Sequence, residues 1–305
     1  MLKPLCLLIS LGLVLALAGV SLGQEESITL RESFFSDTLH RDFRYNIILP
    51  AGYDQSGERY PVIYLLHGRG DTGTAWLRVH DTLDALIASG EIPPVIAVLP
   101  DMPSSSRASY YVDSQYTGTL YQAEQVETAV MQDLIPHIDA TYRTRTERDG
   151  RFVGGYSMGA YGAIRWTMAY PQRFRGALVL SPAVYFPLPP RDSSTREFGA
   201  FGRGDVLFDE DIYQSLNYPA LLASVQASDL PLSAFIAVGD DEWRNPNYEE
   251  RMHDLDMEAH MFFNHVVRVP NITAELRVYD GGHDWDVWRP GFIEGMRFLL
   301  SSGNA

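Results

Sequence analysis

The sequence predicts an α/β fold, in which a mostly parallel central sheet carries helices on both faces. Short apolar segments alternate along the chain with longer segments of helical periodicity. The short segments are apolar on both faces, as strands inside a covered parallel sheet are. The chain has 305 residues, of which 46% are hydrophobic, so it is long enough to bury such a sheet.

The expected elements follow a strand-and-helix repeat after an initial antiparallel pair of strands. The pair is predicted at residues 27–36 and 41–50. Buried strands are predicted at 60–66, 95–99, 151–155, 177–180, 234–238 and 275–279, and helices at 74–89, 123–140, 158–169, 248–265 and 286–300. The repeat is interrupted by three segments, 101–121, 185–218 and the stretch around 244–248. Loops this long in a compact domain are usually functional or disordered.

The first 23 residues have the features of a cleaved signal peptide. Lys3 precedes an apolar stretch, residues 4–20, which is followed by small residues such as Ser21 and Gly23. A retained membrane anchor is the alternative, because this stretch approaches the roughly 20 residues that span a bilayer. We expect cleavage, which leaves residues 24–305 as a single domain that is secreted or periplasmic and has no membrane contact.

Charge and cysteine content restrict the possible partners. The net charge is −15, and a strongly acidic chain is repelled by nucleic acid and by anionic membrane surfaces. We therefore expect no nucleic-acid partner. Cys6 is the only cysteine and lies in the predicted signal peptide, so the mature chain is expected to form no internal disulfide.

A serine lies between two glycines where a predicted strand meets a predicted helix. The segment reads Gly155-Tyr156-Ser157-Met158-Gly159. A serine hydroxyl attacks a carbonyl only when a base removes its proton, so the turn has to hold Oγ outside the sheet. The strand-turn-helix context is the one in which this pattern marks a nucleophile. We predict Ser157 as the nucleophile; the alternative is a helix start built from small residues.

An earlier loop is expected to bind the oxyanion of a tetrahedral intermediate. The segment Leu65-Leu66-His67-Gly68-Arg69-Gly70 ends the buried strand that starts at Tyr60. The oxyanion needs two N–H donors, one from the residue after the nucleophile and one from such a loop. The candidates are the backbone N–H groups of Met158 and Arg69. For His67 we expect a structural role in bracing the loop.

The candidate base follows the last predicted strand. His283 lies in Gly281-Gly282-His283-Asp284-Trp285, and the chain order of nucleophile, acid and histidine is the one expected for this architecture. Four other histidines are expected to be surface or packing residues, namely His137, His253, His260 and His265. No histidine pair has the i, i+4 spacing beside a carboxylate that zinc-binding helices use, so we expect no metal site.

The carboxylate that orients the histidine is expected directly after the strand at 234–238. The chain there reads Gly239-Asp240-Asp241-Glu242-Trp243. A Gly-x-x-acid spacing favours Glu242, Asp241 is nearly as good a candidate, and Asp240 is third. Because either Glu or Asp can orient an imidazole, the choice between Asp241 and Glu242 stays open.

Together these segments resemble the putative-esterase family of α/β-hydrolases, which includes the esterase D group, feruloyl and acetyl xylan esterases and mycolyltransferases. The resemblance runs from about Tyr60 to Leu299. It is carried by four segments, 60–68, 133–139, 155–163 and 281–285 with Trp288. It implies the α/β-hydrolase fold, hydrolysis of a carboxylic ester by Ser157 with His283 as base and an acid near Glu242, and no cofactor. The chain departs from the family in its three consecutive acids and in the long segment 185–218.

The expected function is that of a secreted serine carboxylesterase whose substrate is a small-molecule or carbohydrate ester, such as a feruloyl or acetyl ester. An acyltransferase with the same triad and an inactive binding protein of the same fold are the alternatives. Aromatic residues in the two long segments either pack a lid or line a cleft for a phenolic acyl group or a sugar ring. They are Tyr110, Tyr111, Tyr116, Tyr185, Phe186, Phe198, Phe201, Phe208 and Tyr213.

Overall fold

The computed structural model describes residues 26–102, 108–243 and 255–300. The predicted signal peptide, residues 1–23, lies outside the described residues and stays a prediction. In the described part of the chain, no helix combines the length and the apolar character needed to cross a membrane.

Ten strands lie in the described part of the chain. They are β1 (Ile28–Ser36), β2 (Arg41–Leu49), β3 (Val62–Leu66), β4 (Ile96–Asp101), β5 (Gln115–Tyr116), β6 (Arg151–Tyr156), β7 (Gly176–Leu180), β8 (Arg203–Gly204), β9 (Leu232–Gly239) and β10 (Ile272–Tyr279). Eight of them form one sheet in the order β1-β2-β4-β3-β6-β7-β9-β10, and β5 pairs with β8 separately.

The main sheet is parallel from β4 to β10, and β1 and β2 join it as an antiparallel edge. Strands β3, β6, β7 and β9 are buried along their whole length, which explains why their sequences are apolar on both faces. The predicted fold class is therefore confirmed. The strand order reverses between β3 and β6, and ligands of open parallel sheets bind at the carboxyl ends of the strands at such a point.

Eight helices surround the sheet in the described residues. They are α1 (His80–Ala88), α2 (Val126–Ala129), α3 (Ile135–Thr141), α4 (Met158–Ala169), α5 (Glu210–Leu216), α6 (Leu222–Ser228), α7 (Leu255–Val266) and α8 (Trp285–Leu300). A 3₁₀ turn, Gly73–Val79, leads into α1, and a π turn, Val130–Leu134, joins α2 to α3. Side chains of α1 and α8 pack on one face of the sheet, and those of α2 to α7 on the other.

The sequence located the strands of the sheet to within a few residues, but it missed structure in the segment 185–218. That segment contains α5 and the short strand β8. Asp209 caps α5 by accepting the Ile212 N–H at 3.0 Å, and two acidic residues occupy the first turn, where they favour a helix start. The helix α6 was not predicted either.

A buried ion pair joins the helix that follows Ser157 to α2. Glu127 on α2 and Arg165 on α4 form a two-pronged pair, with N–O distances of 2.5 and 3.0 Å. The Glu127 side chain is 6% exposed and the Arg165 side chain 12%. Glu127 also accepts the Tyr170 hydroxyl at 2.6 Å, and Arg165 donates to the Leu216 carbonyl at the end of α5. The pair therefore fixes α2 and α5 against α4.

We expect Glu127→Gln to lower the free energy of unfolding by about 3 kcal/mol, because it leaves a buried guanidinium without its counter-charge. Glu275→Gln is the matched control, since Glu275 pairs with Arg277 at the surface and an exposed pair contributes less than about 1 kcal/mol. Urea denaturation of both variants measures the difference. Equal losses of unfolding free energy in the two variants would show that the Glu127–Arg165 pair contributes no more to stability than an exposed pair.

Candidate active site

Ser157 occupies a sharp turn between β6 and α4. Its backbone has φ 56° and ψ −122°, which is unusual for a residue with a side chain. The chain passes close to itself here: a Cβ on Gly159 would lie 2.1 Å from the Leu66 carbonyl oxygen, and one on Gly155 would lie 2.2 Å from the Gly159 carbonyl carbon. Only glycine fits at either position, which explains the spacing of the motif around Ser157.

The start of α4 provides one N–H donor beside Ser157. Met158 is the first residue of the helix, and the first N–H groups of a helix have no acceptor within it. The first hydrogen bonds of the helix are donated by the N–H groups of Ala160 and Tyr161, at 3.0 and 3.2 Å, to the Ser157 carbonyl. The Met158 N–H thus lies at the positive end of the helix, next to the serine.

The loop after β3 passes directly beside the serine. A Cβ on Gly68 would lie 3.4 Å from Cβ of Ser157, so the loop backbone reaches the Ser157 turn just before Arg69. Arg69 itself is exposed. The structure therefore brings the loop that precedes Arg69 beside Ser157, and Met158 follows Ser157 directly in the chain.

His67 braces this loop from inside the protein, as its expected structural role requires. The ring is fully buried, and its Nε2 accepts the Met102 N–H at 3.2 Å. Its Nδ1 therefore carries the proton and donates to the Gly68 carbonyl at 2.8 Å. The Tyr111 hydroxyl donates to the His67 carbonyl at 2.7 Å, which fixes the loop from a second direction.

His283 and Glu242 form a hydrogen-bonded pair across two loops. Nδ1 of His283 lies 2.7 Å from Oε2 of Glu242. The Glu242 side chain is 1% exposed and the His283 side chain 38%, so the carboxylate is enclosed while the imidazole reaches solvent. The other carboxylate oxygen accepts the Gly239 N–H at 3.4 Å. With Nδ1 bound to the carboxylate, Nε2 is the ring nitrogen left to accept a proton.

The neighbouring aspartates shape the turns that carry this pair. Asp240 accepts the Gly281 N–H at 3.1 Å, and the Asp241 N–H donates to the Gly281 carbonyl at 2.9 Å. Carboxylate oxygens of Asp240, Asp241 and Asp280 lie within 4.8 Å of one another at the surface. Of the candidate acids, it is Glu242 that the structure brings to the imidazole of His283.

Tyr156 connects the serine turn to both partner loops. Its ring stacks on Trp288 at 4.3 Å between centroids, and Trp288 in turn lies edge-on to His283 at 5.1 Å. Its hydroxyl donates to Asp71 at 2.7 Å, in the loop that also contains Arg69. Burial, strengthened by the carboxylate, raises the pKa of Tyr156, so the hydroxyl keeps its proton and stays a donor.

The aromatic residues of the long segments fall into two groups. Five are buried, which favours the lid-packing interpretation over the cleft interpretation for them: Tyr110, Tyr111, Tyr116, Phe201 and Tyr213. All of these except Tyr116 belong to the hydrophobic core. The other four reach the surface at least in part: Tyr185, Phe186, Phe198 and Phe208.

Of the four histidines expected to be surface or packing residues, the three that the structure describes have partners of their own. His137 stacks on Phe34 at 4.2 Å, and His265 contacts the Tyr218 hydroxyl at 2.7 Å. Burial lowers the pKa of both. His260 pairs with Asp256 one helical turn away, and His253 lies outside the described residues.

The chain matches a known protein family over most of its length. The profile of the family described as "Putative esterase" covers residues 36–299. The chain belongs to this family. The resemblance found in the sequence is thereby confirmed, and the predicted enzyme class, a serine hydrolase of carboxylic esters, agrees with it.

Individual relatives share this theme. An endo-1,4-beta-xylanase/feruloyl esterase of Xylanibacter ruminicola is 30% identical over 60% of this chain and 26% of its own length. An acetyl esterase of Caldicellulosiruptor saccharolyticus is 25% identical over 84% of this chain and 92% of its own. A solved ferulic acid esterase superposes with a TM-score of 0.71 at 23% identity, covering 90% of this chain and 98% of that one. The chain thus spans about a quarter of the first relative, and the solved structure supports the fold alone.

Sequence reasoning missed the contacts that hold this esterase-family site together. Tyr156 occupies the variable position of the serine motif, and nothing in the sequence linked it to Asp71, 85 residues away. Ser181, which accepts the Trp288 indole N–H at 2.9 Å, gave no signal either. Trp285 and Trp288 were the available clue, because both lie close to His283 in the chain.

We expect Tyr156→Phe to lower the free energy of unfolding by about 1 kcal/mol, since it removes a hydrogen bond to a carboxylate but keeps the ring stack. Tyr161→Phe is the matched control. Within the described residues the Tyr161 hydroxyl is buried without a hydrogen-bond partner, so its removal is expected to be neutral or stabilising. Chemical denaturation compares the two, and a larger loss in Tyr161→Phe would contradict the assignment.

Proposed function

We propose that the chain is a secreted serine carboxylesterase that forms an acyl-enzyme on Ser157. The observation that carries the proposal is the Glu242–His283 pair, held through Trp288 and Tyr156 against the turn that presents Ser157. In this assignment Ser157 is the nucleophile, His283 the base and Glu242 the acid. Asp241 acts only through the shape of the turn.

The reaction proceeds in two steps of the same kind. His283 Nε2 takes the proton of Ser157 Oγ as Oγ attacks the ester carbonyl, and the imidazolium is stabilised by Glu242 at Nδ1. The C–O bond to the alcohol then breaks as His283 returns the proton to the leaving oxygen. Water repeats the sequence on the acyl-enzyme and releases the acid.

The oxyanion of each tetrahedral intermediate is bound by the backbone N–H groups of Met158 and Arg69. Two features support this assignment: the first N–H of α4 has no acceptor in its helix, and the loop before Arg69 contacts the serine turn. A preorganised donor of this kind contributes about 3 kcal/mol to transition-state stabilisation.

The substrate we propose is an acylated carbohydrate or a similar small ester, with a feruloyl or acetyl acyl group. The names of the relatives, feruloyl esterase and acetyl esterase, support this class. Export from the cytoplasm is proposed from the signal-peptide features of residues 1–23. The chemistry assigned to these residues uses no cofactor.

We expect Ser157→Ala to abolish hydrolysis of p-nitrophenyl acetate and labelling by a fluorophosphonate probe, because the variant lacks the hydroxyl that the proposal assigns as nucleophile. Release of p-nitrophenol and gel fluorescence of the probe measure the two effects. Circular dichroism checks that the variant is folded. Retained labelling in the folded variant would disprove the assignment of the nucleophile.

The acid is tested by a pair of neighbouring substitutions. We expect Glu242→Gln to lower kcat by roughly 10⁴-fold, because an amide no longer fixes the tautomer of His283 or stabilises its protonated form. Asp241→Asn is the matched control and should change kcat less than about tenfold. Steady-state kinetics on p-nitrophenyl acetate separates them. The reverse ranking would assign the acid to Asp241.

A further inference from the structure

The side chain of Arg69 leaves the oxyanion loop toward the surface. Its guanidinium carbon lies 5.9 Å from the centroid of the Phe198 ring, and Phe198 meets Tyr121 edge-on at 5.4 Å. Both aromatic residues are half-buried and come from the two long segments that interrupt the strand-and-helix repeat. The guanidinium therefore lies where the oxyanion loop and both segments meet.

No carboxylate of the described residues pairs with Arg69. Asp71, the acidic residue nearest to Arg69 in the sequence, accepts a hydrogen bond from the Tyr156 hydroxyl. By contrast, Arg165 and Arg151 each hold a buried or half-buried carboxylate. Contact with the Phe198 ring orients the guanidinium, and its N–H donors can still bind a carboxylate. An exposed positive charge is thus left available in a chain whose net charge is −15.

The position of this charge ties it to the proposed reaction. The backbone N–H of Arg69 is assigned to the oxyanion hole, so its guanidinium lies within one side chain's length of the reacting carbonyl. A planar guanidinium binds a carboxylate through two parallel N–H···O bonds, which selects for geometry as well as charge. A substrate that carries a carboxylate near its ester bond would meet this group.

We propose that Arg69 binds a carboxylate of the substrate, so that the site prefers anionic esters, such as acylated acidic sugars, over neutral esters of the same shape. The inference rests on the proposed function, since it requires Ser157 to be acylated beside Arg69. An exposed charge pair of this kind gives a preference of roughly two- to fivefold in kcat/KM. Salt weakens it, because exposed charges are screened.

Two matched pairs of esters test the proposal. In 4-acetoxybenzoate and 4-acetoxybenzamide the charge differs on the alcohol side, and in monophenyl succinate and phenyl succinamate it differs on the acyl side. The quantity measured is the kcat/KM ratio of anionic to neutral ester, in the wild-type protein and in Arg69→Gln. Comparing ratios between proteins cancels both the intrinsic reactivity of each ester and any general loss of activity in the variant.

We expect the ratio for at least one pair to fall roughly two- to fivefold in Arg69→Gln, and the responding pair tells which side of the ester carries the charge. Arg69→Lys should keep most of the preference. Arg203→Gln is the matched control, because Arg203 is an exposed arginine in the segment 185–218, which also contains Phe198, and it already pairs with Asp209. Its ratios should equal the wild-type values.

Equal ratios in the wild-type protein and in Arg69→Gln for both pairs, with the neutral esters hydrolysed, would overturn this inference and leave the proposed function standing. The proposed function, and this inference with it, would be overturned if the folded wild-type protein hydrolysed none of the four esters and also did not react with a fluorophosphonate.

Discussion

At Ser157 the backbone takes a conformation that costs a residue with a side chain on the order of 1–3 kcal/mol. The surrounding structure supplies the compensation. The Ser157 N–H donates to the Leu180 carbonyl at 2.9 Å, and its carbonyl accepts the Ala183 N–H at 3.1 Å, so the turn is fastened to the end of the neighbouring strand β7. Because β6 and α4 are almost wholly buried, neither can shift to relax the turn.

The fixed turn then sets the position of everything else in the site. Tyr156, the residue before the serine, points the opposite way and fills the space among Trp76, Trp285 and Trp288. Through its hydroxyl and its ring it meets the oxyanion loop and the helix that follows His283. One residue of the motif thus occupies the turn, while its neighbour joins that turn to Asp71 and, through Trp288, to His283.

The parts of this arrangement that follow from short stretches of sequence were predictable. The motif around Ser157 and the glycines before His283 depend on local backbone geometry, and the strands depend on local apolar patterning. The choice of Glu242 over Asp241 was not, because it depends on how the turn after β9 folds against Gly281. The link from Tyr156 to Asp71 was unpredictable for the same reason: it joins positions 85 residues apart, and no local pattern encodes such a distance.

The segment 185–218 is fastened to the core by contacts separate from those that hold the turn at Ser157. Its backbone is anchored: the Tyr185 carbonyl accepts Asn217 at 2.8 Å and Tyr213 at 3.1 Å, and the Phe186 N–H donates to Glu258 at 3.0 Å. The anchoring residues are largely buried and cannot meet a substrate. Phe198, a half-buried residue of the same segment, contacts Arg69 and so joins the segment to the loop after β3. The proposed preference for anionic esters therefore depends on contacts that lie outside the turn at Ser157.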